Sequence, residues 1–234
     1  MLGFLGAIEA EIVLIRGRLR DTRVVTVGST TLTLGRYVAP SGVRRHVAVA
    51  RCGVGKVNAA LAVAALARAG VTEAVFTGVA GGLAPGLGIG DLVVATDLVQ
   101  HDVDLTALGH PRGELLGEPL AWTCDPGLRD RLLDAAVAAA GPRRVHQGRI
   151  ASGDQFIADP SRARAIRADF GALCAEMEGA AFAQACTAYG VAFAVVRAIS
   201  DTADGDAVAD FPAFLTRASE VGLALADALV EQSA

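Results

Sequence analysis

The sequence VAFAVVRAISD, residues 191–201, decides the fold class of this chain. It is apolar over residues 191–196, and Arg197 is the only charged residue before Asp201. An apolar run of this length is typical of a β-strand that is covered on both faces in a largely parallel sheet. Asp201 ends the run, where open α/β sheets bind their ligands, although an aspartate here can also simply cap a turn.

Strand-like and helix-like patterns alternate along the rest of the chain. Strands are predicted at residues 2–7, 23–38 (two runs), 47–52, 74–77, 91–99 and 144–152, and helices at residues 9–19, 57–69, 127–140, 160–169, 178–189 and 211–230. Asp125 and Pro126 suit the cap and first position of the helix at 127–140. This alternation predicts an α/β fold with a largely parallel sheet, and a length of 234 residues suits one domain, residues 1–234.

Composition argues against several classes of protein. The net charge is −4 and no long basic run is present, so we expect no nucleic-acid partner. The longest apolar stretches have the length of strands, so we expect no membrane partner. The N-terminus has no basic leader, which predicts a cytoplasmic protein. The four cysteines are widely spaced without a metal-ligand pattern, so we expect reduced thiols and no metal site.

Two glycine-containing turns follow predicted strands. Gly53-Val54-Gly55-Lys56 opens a helix, and its N–H groups could bind an anion or could belong to a tight turn without a ligand. Gly78-Val79-Ala80-Gly81-Gly82 directly follows a buried strand, where small residues permit a ligand to approach the backbone closely. A flexible turn is the alternative for the second segment, but its strand context favours the floor of a binding site.

Acidic and aromatic side chains also follow predicted strands. Glu176 and Glu178 flank Met177 and would share one face of an extended segment. Acids before a helix, like Glu11 near the first helix, can also merely complement the helix dipole. Met177 offers a soft apolar surface to a sugar or a base. Phe156 could stack on a flat ligand or could belong to the core.

Six motifs occur together, in one order, along the chain: Gly6-Ala7-x-x-x-Glu11, Gly53-Val54-Gly55-Lys56-Val57-Asn58-Ala59, Thr77-Gly78-Val79-Ala80-Gly81-Gly82, Ser152-Gly153-Asp154-Gln155-Phe156, Glu176-Met177-Glu178 and Arg197-Ala198-Ile199-Ser200-Asp201. With these motifs the chain resembles the bacterial 5′-methylthioadenosine/S-adenosylhomocysteine nucleosidases of the nucleoside phosphorylase superfamily. The resemblance extends over essentially the whole chain. Each motif is weak by itself, and their common register makes the resemblance specific.

The resemblance implies a fold and a reaction. The expected fold is a three-layer α/β/α, nucleoside phosphorylase-like single domain around a twisted, mixed and partly barrel-like central sheet. The expected reaction is hydrolysis of the bond between adenine and ribose in 5′-methylthioadenosine and S-adenosylhomocysteine, releasing adenine and the 5-thioribose product. It implies a small-molecule nucleoside substrate, no metal or organic cofactor, and a homodimer.

The resemblance also implies a role for individual residues. Asp201 is expected to protonate the imidazole-ring nitrogen of the purine, Glu11 to activate water and Glu178 to hold the ribose hydroxyls. The further substrate contacts are expected from Met177 against the sugar, Phe156 stacked on adenine, the backbone at Ile157 on the Watson–Crick edge, Ala80 and Gly81 beneath the base, and the motif residues Glu176 and Ser200. The pocket for the 5′-alkylthio group is expected to contain Val54, Ile8 and Phe211.

The chemistry of the reaction fits three carboxylates of this kind. Breaking an N-glycosidic bond builds negative charge on the departing base, which an acid relieves by protonation. Positive charge builds on the ribose, and a nearby carboxylate stabilises it. A third carboxylate can deprotonate water on the opposite face of the sugar, as in inverting glycosidases. Asp201, Glu178 and Glu11 supply these roles.

A long segment, residues 101–122, is expected to lie at a subunit interface. It carries apolar side chains at Val103, Leu105, Leu108, Leu115, Leu116 and Leu120. A large exposed apolar patch usually marks a contact site, and a symmetric dimer would bury the patch twice. The resemblance places Leu105 and Leu108 against the 5′-alkylthio pocket of the neighbouring subunit. The alternative is that the segment folds back on its own subunit.

The chain departs from the commonest family pattern at three positions. Val79 stands where serine is frequent, Ile8 where methionine is frequent, and Cys52 where serine or threonine is frequent. These changes leave the carboxylates intact but leave the breadth of the 5′-substituent pocket open.

Three other functions compete with the nucleosidase. A purine nucleoside phosphorylase would need several arginines converging on a phosphate dianion, and Glu11 favours water instead. A futalosine-type hydrolase would share the same carboxylates. A non-catalytic nucleoside-binding protein would have no need for all three of them.

Overall fold

The computed structural model describes residues 1–202 and 211–232. The strands are β1 (Leu2–Gly6), β2 (Leu19–Val27), β3 (Thr30–Val38), β4 (Arg44–Arg51), β5 (Glu73–Gly82), β6 (Leu92–Gln100), β7 (Trp122–Thr123), β8 (Val145–Ser152), β9 (Cys174–Glu176) and β10 (Ala192–Thr202). The helices are α1 (Val13–Gly17), α2 (Lys56–Arg68), α3 (Pro126–Ala140), α4 (Pro160–Phe170), α5 (Gly179–Tyr189) and α6 (Phe211–Glu231). The predicted order of elements is therefore confirmed, with β7 and β9 added.

The sheet is mixed, as the family resemblance implied, and less parallel than the apolar patterns predicted. Its order is β10-β6-β8-β9-β5-β1-β4-β3-β2, with a further pairing of β10 to β5. The β2-β3-β4 strands pair antiparallel, while β1 pairs parallel with both β4 and β5. Because β2 and β3 are joined by a two-residue turn at 28–29, they can only run antiparallel.

The long strand β5 closes part of the sheet into a barrel. Along one edge it pairs with β10 from Glu73 to Gly82. Its other edge pairs with β1 at residues 73–76 and with β9 at Gly81 and Gly82. The ring β5-β10-β6-β8-β9 is closed in this way, which brings the ends of several strands around one space.

Helices cover both faces of the sheet, so the three-layer α/β/α fold is confirmed. One core lies between the sheet and α2 with α5, and it receives Phe193 and Val195 of β10. The other core lies between the sheet and α1, α3 and α6, and it receives the alternate residues Ala194 and Val196. Side chains alternate between the faces of a strand, which explains why β10 is apolar throughout its length.

Local signals explain where several helices begin and end. The Asp125 carboxylate accepts a hydrogen bond from the Leu128 N–H at 2.8 Å, and Pro126 occupies the first turn of α3, as predicted.

Residues 9–19 differ from the prediction of one amphipathic helix. They form a 3-10 turn, Glu9–Glu11, followed by the short α1. The helix is interrupted because the Glu11 side chain turns back to the N–H groups of Ala7 and Ile8.

The segment between β6 and β7 is a long excursion over the surface, as predicted. It contains a 3-10 turn, Thr106–Leu108, and its apolar side chains at Leu108, Leu116 and Leu120 are 67%, 63% and 41% exposed. None of the helices in residues 1–202 and 211–232 is both long enough and apolar enough to cross a bilayer.

Candidate active site

A cavity of about 260 Å³ lies where β1, β5, β8, β9 and β10 end and α5 begins. The predicted site residues that line it are Ile8, Glu11, Val54, Ala80, Gly81, Phe156, Ile157, Glu176, Met177, Glu178, Ser200 and Asp201. The further lining residues are Ala7, Val79, Gly82, Leu83, Gln155 and Ala175. Val79 and Gly82 belong to the segment that was predicted to form the floor of a binding site, and the other four were given no role from the sequence. The three carboxylates singled out for catalysis therefore face one space.

Glu11 is held in the cavity wall by backbone N–H groups. Its Oε2 accepts hydrogen bonds from Ala7 N at 2.6 Å and Ile8 N at 3.1 Å, and its Oε1 accepts from Val79 N at 3.2 Å. Burial raises the pKa of this carboxyl group, against the opposing effects of the Arg197 charge and these hydrogen bonds. The result is a carboxylate with a fixed position and increased basicity.

Gly78 makes room for this carboxylate. A Cβ atom at Gly78 would lie 2.8 Å from Oε1 of Glu11 and 3.3 Å from Nη1 of Arg197. The small residue was predicted to let a ligand approach the backbone, and here it is the Glu11 side chain that approaches it. At Gly81 a Cβ would lie 3.0 Å from Oδ1 of Asp201, so this glycine also accommodates a carboxylate.

Arg197 and Glu176 form a buried ion pair behind the cavity. Nη2 and Nε of Arg197 lie 2.6 and 3.2 Å from the same oxygen, Oε2 of Glu176. Glu176 also accepts hydrogen bonds from Ser152 Oγ and from the N–H groups of Glu178 and Gly179. Because protein donors surround its carboxylate, Glu176 is suited to positioning its neighbours more than to binding a ligand directly.

Sequence reasoning assigned no role to Arg197. The signal was a single cation within the apolar run of residues 191–201, since a charged residue is rarely buried without a partner. Its side chain is 1% exposed, and its guanidinium carbon lies 4.2 Å from the centre of the Phe76 ring. Its partner, Glu176, could not be identified from the sequence.

Glu178 occupies the cavity between two helix N-termini. Its Oε1 accepts a hydrogen bond from Gly55 N at 2.7 Å, in the turn that opens α2. Gly55 has φ of 100°, a conformation that favours glycine, so the tight turn and the anion-binding N–H group predicted for this motif coexist. Burial and the charge of Glu176 raise the pKa of Glu178 to about 7.

Asp201 is aimed at the cavity by a β-bulge. In the pairing with β5, Ile199 lies opposite Ala80 while Asp201 lies opposite Gly81, so Ser200 is the extra residue. Bulges re-aim side chains next to functional sites. Ser200 Oγ donates to Oδ2 of Asp201 at 2.7 Å, which orients the carboxyl group. Asp201 therefore belongs to the cavity and does not merely cap a turn.

Phe156 lies at the open side of the cavity with 80% of its surface exposed, so the alternative of a core residue is wrong. Leu105 and Leu108 do not line this cavity within the same subunit. Phe211 begins α6, and its side chain lies outside the described residues.

Among the residues that the structure describes, no three His, Cys, Asp or Glu side chains are grouped so as to hold a metal.

Comparisons with known proteins point to one family. The sequence profile of the phosphorylase superfamily matches residues 2–231. A 5′-methylthioadenosine/S-adenosylhomocysteine nucleosidase of Actinobacillus succinogenes is 39% identical over 221 residues, which are 94% of this chain and 93% of the relative. The corresponding protein of Shewanella oneidensis is 35% identical over 99% of this chain and 96% of its own length.

Solved structures give the same result. The nucleosidase of Neisseria meningitidis in complex with methylthio-immucillin-A superposes with a TM-score of 0.90 at 34% identity, covering 99% of this chain and 98% of the other. The futalosine hydrolase of Helicobacter pylori superposes with a TM-score of 0.89 at 33% identity, covering 99% and 97%.

Proposed function

This chain belongs to the 5′-methylthioadenosine/S-adenosylhomocysteine nucleosidase family of the phosphorylase superfamily, and on that premise we propose that it hydrolyses the N-glycosidic bond of these two nucleosides. The products are adenine and the corresponding 5-thioribose compound. The observation that carries the proposal is the convergence of Glu11, Glu178 and Asp201 on one cavity. Breaking this bond needs an acid for the base, a negative charge near the sugar and a base for water.

Each carboxylate takes the role that its surroundings favour. Asp201 is the general acid for the departing adenine, and Ser200 orients it. Glu11 is the general base for water, because the raised pKa that burial causes strengthens its basicity. Glu178 accepts hydrogen bonds from the ribose hydroxyls, since protein donors already surround the neighbouring carboxylate of Glu176.

The remaining lining residues divide into a base subsite and a 5′ subsite. Adenine lies over Ala80 and Gly81, beneath Phe156, with its Watson–Crick edge at the backbone of Ile157 and the sugar against Met177. The 5′-alkylthio group lies near Ile8 and Val54, both at the cavity. Phe211 is assigned to this subsite on the family resemblance alone, because its side chain lies outside the described residues.

Water is favoured over phosphate as the nucleophile. None of the described residues that line the cavity is a lysine or an arginine. Arg197, the cation behind it, is committed to Glu176. A phosphate dianion would instead face Glu11 and Glu178, so a purine nucleoside phosphorylase does not fit this site.

A futalosine-type hydrolase is the second candidate. The Helicobacter pylori enzyme of that name is as similar in structure as the nucleosidases are, and the carboxylate chemistry is common to both. The substrates of the two enzymes differ in the groups attached to the sugar and to the base. Measuring which substrate is hydrolysed therefore distinguishes the two functions.

We further propose that the active form is a homodimer. The α2 side chains Val57 and Leu61, four residues apart and so on one helix face, are 70% and 48% exposed. The Lys56–Asp102 ion pair joins this face to the segment at 103–121, which exposes Leu108 and Leu116. A patch of this kind suits a second copy of the chain, whose Leu105 and Leu108 would close the open 5′ side of the cavity.

The proposed location is the cytoplasm, since the four cysteines are free thiols, as is usual in a reducing compartment.

The test is a product assay with methylthioadenosine, S-adenosylhomocysteine and futalosine, each with and without phosphate. The expected result is release of adenine from the first two at a rate that phosphate does not change. A requirement for phosphate, with a sugar phosphate as product, would overturn the hydrolase. Hydrolysis of futalosine alone would establish the second candidate, and tight binding without turnover of any substrate would identify a binding protein.

A further inference from the structure

Lys56, Gln100, Asp102 and Asp154 form a polar cluster beside the cavity, here called the Lys56 cluster. Nζ of Lys56 donates to Oδ1 of Asp102 at 2.7 Å and to Oε1 of Gln100 at 2.9 Å. The other carboxylate oxygen of Asp102 accepts from Asp154 N at 2.9 Å, and Oδ1 of Asp154 accepts from Lys56 N at 2.8 Å. The side chains of Lys56 and Asp102 are only 19% and 14% exposed, so this is a closed and partly desolvated ring of hydrogen bonds.

The Lys56 cluster joins three parts of the chain that are distant in sequence. Lys56 begins α2, Gln100 ends β6, Asp102 follows β6, and Asp154 follows β8. Gln100 Nε2 also donates to Oε1 of Gln184 on α5, at 2.9 Å. None of the four members lines the cavity.

Residues next to the Lys56 cluster in the sequence either line the cavity or hold a residue that lines it. Gly55, the residue before Lys56, donates the hydrogen bond that positions Glu178. Gln155, Phe156 and Ile157 directly follow Asp154 and line the base side of the cavity. A Cβ atom on Gly55 would lie 3.0 Å from Oδ1 of Asp154, so the turn and the loop are in close contact. A shift in the cluster would therefore move the contacts for the sugar and for the base together.

We infer that Lys56 and Asp102 are positioning residues, which set the geometry of the sugar and base subsites relative to each other. The Lys56 cation neutralises Asp102. Asp102 in turn accepts a hydrogen bond from the N–H group of Asp154, which begins residues 154–157, here called the base loop. Without the cation, Asp102 is left as a partly buried unpaired charge, which costs free energy unless it moves to solvent. Movement of Asp102 releases Asp154 and with it the loop at 154–157.

Asp102 also precedes the segment at 103–121, which carries Leu105 and Leu108. In the proposed homodimer, the segment at 103–121 contacts the partner subunit. Because Asp102 links this segment to Asp154, that contact also stabilises the base loop. The inference rests on the proposed function for its kinetic consequence, but its structural consequence is independent of substrate.

The kinetic consequence is an effect on KM that exceeds the effect on kcat. Asp201 is oriented by Ser200, and Glu11 by Ala7, Ile8 and Val79, so the acid and the base do not depend on the Lys56 cluster. Lys56→Met is expected to raise KM for methylthioadenosine about tenfold, the scale of one lost hydrogen bond to a charged group. We expect kcat to change less than about threefold, and Lys56→Arg, which keeps the charge, to restore most of the KM.

The experiment compares Lys56→Met, Lys56→Arg and Asp102→Asn with the control Arg45→Met. The control breaks the Arg45–Glu73 ion pair, whose side chains are 24% and 25% exposed, at the starts of β4 and β5 away from the cavity. KM and kcat are measured together with amide hydrogen exchange of the ligand-free proteins. Lys56→Met and Asp102→Asn should accelerate exchange in both residues 53–56 and residues 153–157, and Arg45→Met in neither.

The outcomes separate this inference from the proposed function. If wild-type protein fails to hydrolyse methylthioadenosine but the exchange pattern holds, the function is wrong and the positioning role stands. If wild-type protein hydrolyses it while the folded variants show wild-type KM and unchanged exchange at 153–157, the positioning role is wrong. Asp102→Asn keeps the size of the side chain and decides the question if Lys56→Met does not fold.

Discussion

Arg197 places two of its guanidinium nitrogens on a single oxygen of Glu176, and both side chains are almost completely buried. The two residues lie on strands that flank β5, since Glu176 ends β9 and Arg197 lies in β10. The pair gives Glu176 a fixed position, from which its carboxylate accepts hydrogen bonds from the N–H groups of Glu178 and Gly179 at the start of α5. Glu178 stands two residues further on, so this ion pair supports the wall of the cavity.

We predict that Arg197→Met lowers the free energy of unfolding by about 3–5 kcal/mol, the cost of leaving a buried carboxylate without its partner. Equilibrium unfolding in urea measures it. The control is Arg129→Met, which breaks a surface ion pair with Asp130, 63% exposed, and should change stability by less than about 0.5 kcal/mol. Equal effects of the two variants would show that Glu176 is held by its other donors alone.

Asp201→Asn tests the proposed acid. The amide keeps the size of the side chain but does not act as an acid, so kcat should fall about a hundredfold or more. KM should change little, because Ser200 can still orient the carbonyl oxygen of the amide. Steady-state release of adenine from methylthioadenosine measures both constants, and turnover near that of the wild type would remove Asp201 from the role.

Gly78→Ala tests the space that Glu11 requires. The added Cβ atom would lie 2.8 Å from Oε1 of Glu11, so the carboxylate must shift and kcat should fall roughly ten- to hundredfold. Gly17→Ala is the matched control, because a Cβ there has no atom within 4 Å, and it should keep full activity. The hypothesis fails if Gly78→Ala is folded and as active as the control.

Glu178 should make stability depend on pH. Its pKa is raised from an ordinary value near 4.5 to about 7 by burial and by the charge of Glu176, so the folded protein binds this proton more tightly than the unfolded chain. The resulting stabilisation is fully present below pH 4.5 and is lost as pH rises through about 7.

The glutamine of Glu178→Gln does not ionise, so the variant does not lose this stabilisation as pH rises. At pH 8 the variant should be more stable than the wild type by about 3 kcal/mol, and the difference should shrink towards pH 4.5. Thermal or urea unfolding at several pH values measures the difference. A difference that is constant with pH would show that Glu178 is not the group that titrates.

The homodimer can be tested at Leu108. Light scattering of the wild type at micromolar concentration should give the mass of two chains. Leu108→Asp should shift the protein towards monomer and weaken binding of methylthioadenosine more than binding of adenine, because adenine does not reach the 5′ subsite. Val24→Asp, at an equally exposed apolar residue of β2, should do neither. A monodisperse wild-type monomer with full activity would contradict the dimer.

Much of the fold and of the site could be predicted because the signals are local. The apolar run before Asp201, the capping pair Asp125-Pro126, the glycines after β4 and the glycines within β5 each specify a few consecutive residues. Those signals place carboxylates and small residues at strand ends, where a parallel arrangement gathers them. The helix predicted at 9–19 was wrong because a local pattern cannot show that Glu11 prefers the N–H groups of Ala7 and Ile8.

The sequence by itself determined the order of the strands and helices, the family and the three carboxylates that define the chemistry. Only the tertiary structure decided that Arg197 pairs with Glu176, that β5 closes a barrel through both β9 and β10, and that Lys56 joins Asp102 and Asp154. The physical reason is that backbone periodicity and turn chemistry act over a few residues, whereas the partner of a buried charge or of a strand edge depends on which distant segments the folded chain brings together.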